Sequence, residues 1–407
     1  MAANAEGSGE RLLTVGVTGT NGKTSTTRWT AACLGALARP VAQTTTLGSF
    51  LDDEPLPTTR DFRGFLATMR AAVERGGRFA AIELTSEALA RGFARTWLSR
   101  VGVFTNLTHD HLDAHGSPEH YLASKAQLFV NLPPGGAAVL NACDESSALL
   151  AEVTPRDVRI VRYGVPSRGA TLAGPEIFAT AVEPTWRGTR VTLEANGALA
   201  HAPREIRIRA IGDIYVENAL AALAAALVVG VPPDDAARAL AAAPVPPGRF
   251  EVVSPAGSGG SGPRVVVDYA HTPDALARTL DVARRLSAGG KVLVVFGAGG
   301  DRDKAKRTPM GVAASRADRV FLTSDNPRSE DPARIADAIR AGIAAGVDVV
   351  TELDRRRAIT AAIADAGEAD VVVIAGKGHE TTQTIGAAAV AFDDRAEARA
   401  AMARRGS

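Results

Sequence analysis

Short apolar runs alternate with amphipathic stretches along most of the chain. "LLTVGVTG" reads as a buried strand and "TSTTRWTAACLGALA" as the helix after it. "FRGFLATMRAAVERGG" has helical spacing, while "FAAIEL", "VGVFTNL" and "GGAAVLN" are strand-like. "SPEHYLASKAQLFVNL" opens with a Ser cap and a Pro at the first helical position. Strands alternating with helices predict an α/β fold, a mostly parallel sheet covered on both faces. Between residues 157 and 210 the pattern changes. "VRIVRYGV", "IFATAVEP", "RVTLEA" and "EIRIRAI" are mostly alternating and suggest a small β extension. "VENALAALAAALVVG" is then a strongly apolar helix.

A boundary falls at "APVPPGRFE". After it the alternation restarts with "RVVVDYA", "KVLVVFG", "RVFLTS" and "DVVVIAG", each separated by a helix, as expected of a second, Rossmann-like unit. The expected organisation is a disordered leader over 1–11, a central domain over 12–244 and a C-terminal domain over 245–407. "SPAGSGGSGP" reads as a flexible turn between strands of the second domain.

Composition narrows the function classes. Lys and Arg total 46 against 45 Asp and Glu, so there is no basic footprint for nucleic acid. No apolar window is long enough for a membrane helix. The N-terminus lacks the basic and apolar regions of a signal peptide. Two cysteines, Cys33 and Cys143, provide neither a disulfide framework nor a metal set, which suits a reducing, cytoplasmic setting. Only six lysines occur beside forty arginines, and five of them (Lys23, Lys125, Lys304, Lys306, Lys377) fall in motif-like stretches. Lysine in an arginine-rich chain suggests a need for a compact ammonium or a nucleophilic amine.

"VTGTNGKTSTT" carries the most chemistry. A strand, a Gly-rich turn ending in Gly-Lys-Thr and a helix form a phosphate cradle. Gly19, Thr20, Asn21 and Gly22 would offer backbone N–H groups. Lys23 would reach the β and γ oxygens, and Thr24, followed by Ser25, could hold Mg²⁺. The strict pattern wants glycine where this chain has Val17, so the loop is a variant. Glu83 ends the strand "FAAIE", where ligands of open α/β sheets sit; a metal ligand and a helix-capping carboxylate are equally compatible with it. "TNLTHDHLDAHGSPEHY" gathers four of the seven histidines with Asp110 and Asp113. Its spacing fits no usual zinc pattern, and a loop beside a Mg²⁺–phosphate centre explains it better.

Taken in order, "GVTGTNGKTSTT", "FTNLTHDHLDAHG…HYLASKAQLF", "GRFE", "VVDYAHTPDAL", "GAGGDRDKAKR", "TSDNPRSEDP" and "AGKGHET" resemble the Mur ligases, and within them the branch that adds meso-diaminopimelate. The resemblance runs from about Val15 to Asp394. It implies an ATP-dependent ligase that activates an acceptor carboxylate as an acyl phosphate, which an amine then attacks. Positioning and charge neutralisation carry such a reaction. By the same resemblance Lys23 and Thr24 serve the ATP phosphates and Mg²⁺. Glu83 and His111 serve a second Mg²⁺, helped by Lys125 as a CO₂-derived carbamate. Asn218 faces the adenine, and Arg249, Asp268 and His271 close over the nucleotide from the second domain. Arg302, Asn326, Arg328, Gly376 and Glu380 receive the amino acid; two arginines and a carboxylate suit a substrate with two carboxylates and two ammoniums.

The acceptor side departs from the family. Thr58, Thr59 and Ser86 match acceptor-contacting positions. Thr85-Ser86-Glu87 replaces Ser-Ser-His, and Phe93 stands where relatives place an Arg, with Arg91 and Arg95 nearby. The relatives also carry an N-terminal domain for the UDP-sugar ahead of the phosphate loop. The expectation is therefore an acceptor not requiring UDP-muramoyl. The alternatives are a cell-wall tripeptide synthase whose UDP-binding domain comes from a partner protein, a nucleotide-binding regulator without ligase activity, and a phosphotransferase. Lys23, Glu83, His111 and Lys125 together argue against the regulator. Gly-Lys-Thr-Ser at the loop argues against the related folylpolyglutamate enzymes.

Overall fold

The computed structural model describes residues 12–107, 117–165, 174–253 and 262–405. Two compact units emerge: Met1–Glu183 with Arg187–Pro244, and Val245–Ser407 with Pro184–Trp186. The expected leader lies outside the described residues, as do 254–261 of the Gly/Ser-rich turn.

The first unit is built on an eleven-stranded sheet. Its centre is Leu13–Thr18, flanked by Phe79–Glu83 on one side and Val101–Phe104 on the other, all parallel. Ala137–Asn141 and Arg159–Gly164 continue the parallel run. The strands at the centre are mostly apolar and buried, as expected where helices cover both faces, while Arg159–Gly164 carries two arginines. Helix Lys23–Leu34 packs against Asp213–Val229. In the latter, residues 215–227 are all buried, and its alanines leave room for close approach.

The expected β extension needs one correction. Arg159–Gly164, the first of its four runs, pairs parallel with Ala137–Asn141 and belongs to the main sheet. Ile177–Thr185, Gly188–Ala195 and Glu205–Ile208 then extend the sheet outward as longer or alternating strands. At the opposite edge a meander of Val41–Thr45, Gly48–Leu51 and Glu54–Leu56 was not evident from the pattern. Its residues "VAQTTTLGSFLDDEPL" mix Thr, Asp and Gly among few apolar positions.

The second unit has a six-stranded sheet. Arg264–Asp268, Val371–Ala375, Val292–Phe296, Arg319–Leu322 and Asp348–Thr351 lie side by side and parallel, with Glu251–Val252 antiparallel at the edge. A separate hairpin joins Thr382–Ile385 to Ala388–Ala391. Arg328 bridges this hairpin: its N–H donates to Thr384 O at 3.1 Å, and its carbonyl accepts from Gly386 N–H at 2.7 Å.

Candidate active site

The phosphate loop leaves the C-terminal end of the central strand, between the ends of its two neighbours. Gly22 lies in the left-handed region at φ +83° and precedes helix Lys23–Leu34, whose first turn has no side-chain cap and no acidic residue. Its open N–H groups suit an anion. Strand-end residues of Val101–Phe104 stiffen the loop. Asn106 Oδ1 accepts from Asn21 N–H at 2.9 Å, Asn106 O accepts from Thr20 N–H at 2.7 Å, and Thr105 Oγ1 donates to Asn21 O at 2.7 Å. A Cβ at Gly19 would lie 1.9 Å from Thr105 Oγ1, so only glycine permits this contact. Lys23 Nζ donates to Thr20 O at 2.7 Å, and Ser25 is buried behind the loop.

Glu83 ends the neighbouring strand at the same level. Its Oε2 accepts from Thr24 Oγ1 at 2.9 Å and from Thr46 N–H at 3.1 Å, and neither bond uses Oε1. A hydroxyl and a carboxylate in direct contact beside an uncapped helix end are hard oxygen donors of the kind Mg²⁺ takes. Among the described residues no three His, Cys, Asp or Glu side chains gather into a metal site. His111 lies outside the described residues. Thr24 and Glu83 thus present oxygen donors that suit Mg²⁺.

Lys125 is buried, 1% exposed, on helix Pro118–Val130. Ser117 starts this helix by accepting from His120 N–H, with Pro at the first turn, as its sequence pattern predicts. Lys125 Nζ donates to Gly19 O at 2.7 Å and lies 4.1 Å from the Tyr121 ring centroid. Tyr121 OH in turn is 3.2 Å from Thr20 Oγ1. The amine therefore touches the phosphate loop itself and is no surface lysine.

Asn218 sits under the loop. It is 2% exposed, its Nδ2 has no hydrogen-bond partner among the described residues, and its Oδ1 would lie 2.0 Å from a Cβ at Gly22. A buried amide donor left unsatisfied beside a phosphate loop fits a nucleotide acceptor atom.

On the acceptor side, Thr59 Oγ1 donates to Asp61, which caps helix Phe62–Glu74. That hydroxyl holds the Asp61 carboxyl below the ordinary carboxylate range. Thr58 lies one residue earlier, its N–H bonded to Leu56 O. Thr85 caps helix Ser86–Ala90, with Ser86 buried and Glu87 exposed in the first turn. Phe93 packs edge-on against Phe65 and Phe62, centroids 5.1 and 6.1 Å away. Arg91 is exposed just before it.

Within the second unit, Asp268 is 5% exposed and accepts from Phe250 N–H at 2.6 Å, Ala270 N–H at 3.0 Å and Thr279 Oγ1 at 3.1 Å. Its carboxylate binds the loop that carries Arg249. The Arg249 guanidinium lies 4.3 Å from the Tyr269 centroid, with His271 and His379 rings against the same tyrosine.

The amino-acid motifs converge at the ends of the central strands. Gly299 brings Arg302 and Arg328 to one loop: a Cβ there would lie 3.1 Å from Arg328 Nη1 and 3.8 Å from Arg302 Cγ. Arg328 has φ +51°, and its Nη1 donates to Gly300 O at 2.6 Å. Asn326 Nδ2 donates to Glu380 Oε2 at 3.0 Å. Gly376, at φ +114°, leaves space for Asp325 Oδ2. Burial pushes the Asp325 carboxyl up, against the pull of Arg355 and Lys377.

Several supporting residues are given no role by the sequence. Thr46 lies outside every motif, while Asn106, Tyr121 and Glu330 lie inside motifs whose other members carry the expected roles. The last takes a two-pronged contact from Arg307, at 2.8 and 3.0 Å, and accepts from Asp301 N–H at 2.6 Å. Arg355 and Asp394 form a fully buried pair at 2.7 Å, and Arg355 also donates to Ala375 O.

Residues 17–226 match the Mur ligase middle domain, and residues 248–378 match the domain described as Mur ligase, glutamate ligase domain. The chain belongs to the Mur ligase family. It is 42% identical, over 97% of its length and 78% of the relative's, to the UDP-N-acetylmuramoyl-L-alanyl-D-glutamate–2,6-diaminopimelate ligase of Thermosynechococcus vestitus. A solved ligase of that same name matches 97% of this chain and 79% of its own, with a TM-score of 0.67 and 32% identity. Folylpolyglutamate synthase of Mycobacterium tuberculosis matches 92% of this chain and 90% of its own at a TM-score of 0.70; at 22% identity that likeness concerns the fold alone. This Mur ligase is an ATP-dependent, ADP-forming enzyme that joins a carboxylate to an amine, and Mg²⁺ is the metal its family uses. No helix among its described residues is long and apolar enough to cross a membrane.

Proposed function

We propose that this Mur ligase couples diaminopimelate, through one of its amines, to an acceptor carboxylate in the cytoplasm. The amino-acid side rests chiefly on Arg328, fixed at a left-handed backbone position with Arg302 on the adjoining loop. Two guanidiniums there suit a substrate with two carboxylates; plain lysine needs only one. The names of the relatives support the same amino acid.

Lys23 and the uncapped N–H groups where its helix starts grip the ATP phosphates, the Thr20 and Asn21 N–H groups being bonded to Asn106, and Asn218 donates to the base. Arg249 and His271 contribute to the nucleotide, with Asp268 holding their loop. The acceptor carboxylate is positioned by Thr58, Thr59, Ser86 and Arg91 and attacks the γ-phosphorus, releasing ADP. The amine then attacks the acyl phosphate, and phosphate leaves. Mg²⁺, when bound, would neutralise phosphate charge: Thr24 would serve the ion on the ATP phosphates, and Glu83, His111 and Lys125, the last as a carbamate, would serve a second.

The acceptor is a peptide or amino-acid-like carboxylate that does not require UDP-muramoyl. Support comes from the acceptor side, where an exposed carboxylate at Glu87 stands for the His of the family pattern and Phe93, packed against Phe62 and Phe65, stands for its Arg. ADP release with diaminopimelate is the test, comparing kcat/KM for UDP-N-acetylmuramoyl-L-Ala-D-Glu with that for nucleotide-free peptides ending in a similar carboxylate. A large preference for the UDP-linked acceptor defeats this part. It favours the second reading, a cell-wall tripeptide synthase. ADP release independent of any amine defeats the ligase reading.

A further inference from the structure

Lys377 has no role in the reaction above, yet its side chain is wholly buried. A buried ammonium is costly unless it is paired and hydrogen-bonded. Its partners are specific. Nζ donates to Asn326 Oδ1 and to Glu380 Oε2, both at 3.1 Å, and Asn326 Nδ2 closes the triangle on Glu380 Oε2 at 3.0 Å. Asn326 Oδ1 also accepts from Thr384 N–H at 2.9 Å.

The backbone builds this arrangement. Glu380 N–H donates to Lys377 O at 2.9 Å, closing a turn between Gly376 at φ +114° and Gly378 at φ +53°. Side chains larger than hydrogen are strained at both angles. The turn sends Lys377 inward and leaves Glu380 at the mouth, its side chain 34% exposed. Both internal bonds go to Oε2, so Oε1 is the atom offered outward.

We infer that Lys377 is a positioning residue for amine recognition: it orients Glu380 and Asn326 and balances the Glu380 charge, so that the site favours a zwitterionic diamino diacid over lysine. The inference rests on the diaminopimelate reading above. Its logic is electrostatic. Without Lys377 the pocket loses one positive charge and Glu380 loses its counter-ion. A more negative pocket favours the ligand of higher net charge, and lysine carries one unit more than diaminopimelate.

The experiment is steady-state ADP release by the full chain, titrating ATP, diaminopimelate and lysine separately. Lys377→Met is expected to raise KM for diaminopimelate roughly ten- to hundredfold, to leave KM for ATP unchanged, and to move the diaminopimelate-to-lysine ratio of kcat/KM toward lysine. Lys377→Gln, which keeps a donor but no charge, is expected to show the same shift in ratio with a smaller rise in KM. If Lys377→Met does not fold, the ratio in Lys377→Gln decides. An unchanged KM and ratio overturn the inference. So does an equal loss for all three substrates, which marks Lys377 as support for the fold only. Wild-type enzyme without diaminopimelate-dependent ADP release defeats the underlying reading instead.

Discussion

The Thr24 hydroxyl donates to Glu83 Oε2 at 2.9 Å, tying the first turn of the phosphate-loop helix to the end of the adjacent strand. Both groups are oxygen donors, and one of them is charged. Glu83→Gln keeps the shape and removes the charge. If Glu83 holds metal, losing its charge should cost about 2.7 kcal/mol of transition-state stabilisation, roughly a hundredfold in rate. We expect kcat to fall by about that factor and the Mg²⁺ concentration for half-maximal rate to rise. Wild-type Mg²⁺ dependence in the variant would show that Glu83 only caps Thr24 and Thr46.

Lys125 touches the carbonyl of Gly19 through its amine. Should it act as a carbamate, Lys125→Ala loses most activity, and added short-chain carboxylates restore part by supplying the missing anion. Mass spectrometry under bicarbonate, kept at neutral pH, would detect the adduct directly. Full activity of the alanine variant refutes the assignment.

On the proposed reading, Arg328 supplies a guanidinium for a distal carboxylate. Truncating one partner of such a pair costs roughly 2–5 kcal/mol. Arg328→Ala therefore raises KM for diaminopimelate far more than KM for ATP, and narrows its advantage over lysine. Equal effects on both substrates would mean that the residue serves the hairpin it bridges.

Glu330 gives a pH signature. The two-pronged contact with Arg307 and the Asp301 N–H hold its carboxyl down at about 2, from an ordinary 4.5. A depressed carboxylate contributes stability above its unfolded pKa and loses it as pH falls through the folded one. Glu330→Gln should therefore lower Tm by a constant amount near neutrality. The difference should shrink only below pH 4.5, toward 2. A gap that closes between pH 8 and 6 would contradict this assignment.

Cys33 is a buried thiol that burial pushes up to about 12. Thiolate is the reactive form. Iodoacetamide at pH 8 should label the half-buried Cys143 first and spare Cys33 until the protein unfolds, as peptide mapping would reveal.

The strands and helices with clear period were legible because their apolar positions are numerous and regular; Leu13–Thr18 and Asp213–Val229 are examples. Val41–Leu56 was not, since its three strands are short, the outer two lie at the sheet edge, and buried Val41 and Ala42 are separated from buried Leu51 by a stretch rich in Thr. Helices Ser146–Val153 and Pro233–Ala242 were too short to assert a period. Site residues in dense motifs, such as Lys23, Glu83 and Arg328, could be located by position. The contacts of their supports could not. Thr46 contributes through its backbone N–H and Asn106 through an amide reaching across strands; Lys377 stands in a motif, but its burial and its partners come from the fold.

Gly22 and Asn218 share one small volume, because the amide oxygen of Asn218 fills the place a Cβ at Gly22 would take. The two positions are thus a single unit for any attempt at redesign. Enlarging Gly22 collides with the amide, and enlarging Asn218 presses on the loop from below. Helix Asp213–Val229, buried on every side along 215–227, cannot retreat to make room. A larger residue at Gly22 therefore needs a shorter one at Asn218, whereas Asn218 has no room to grow, because its neighbour is already glycine and sits at φ +83°.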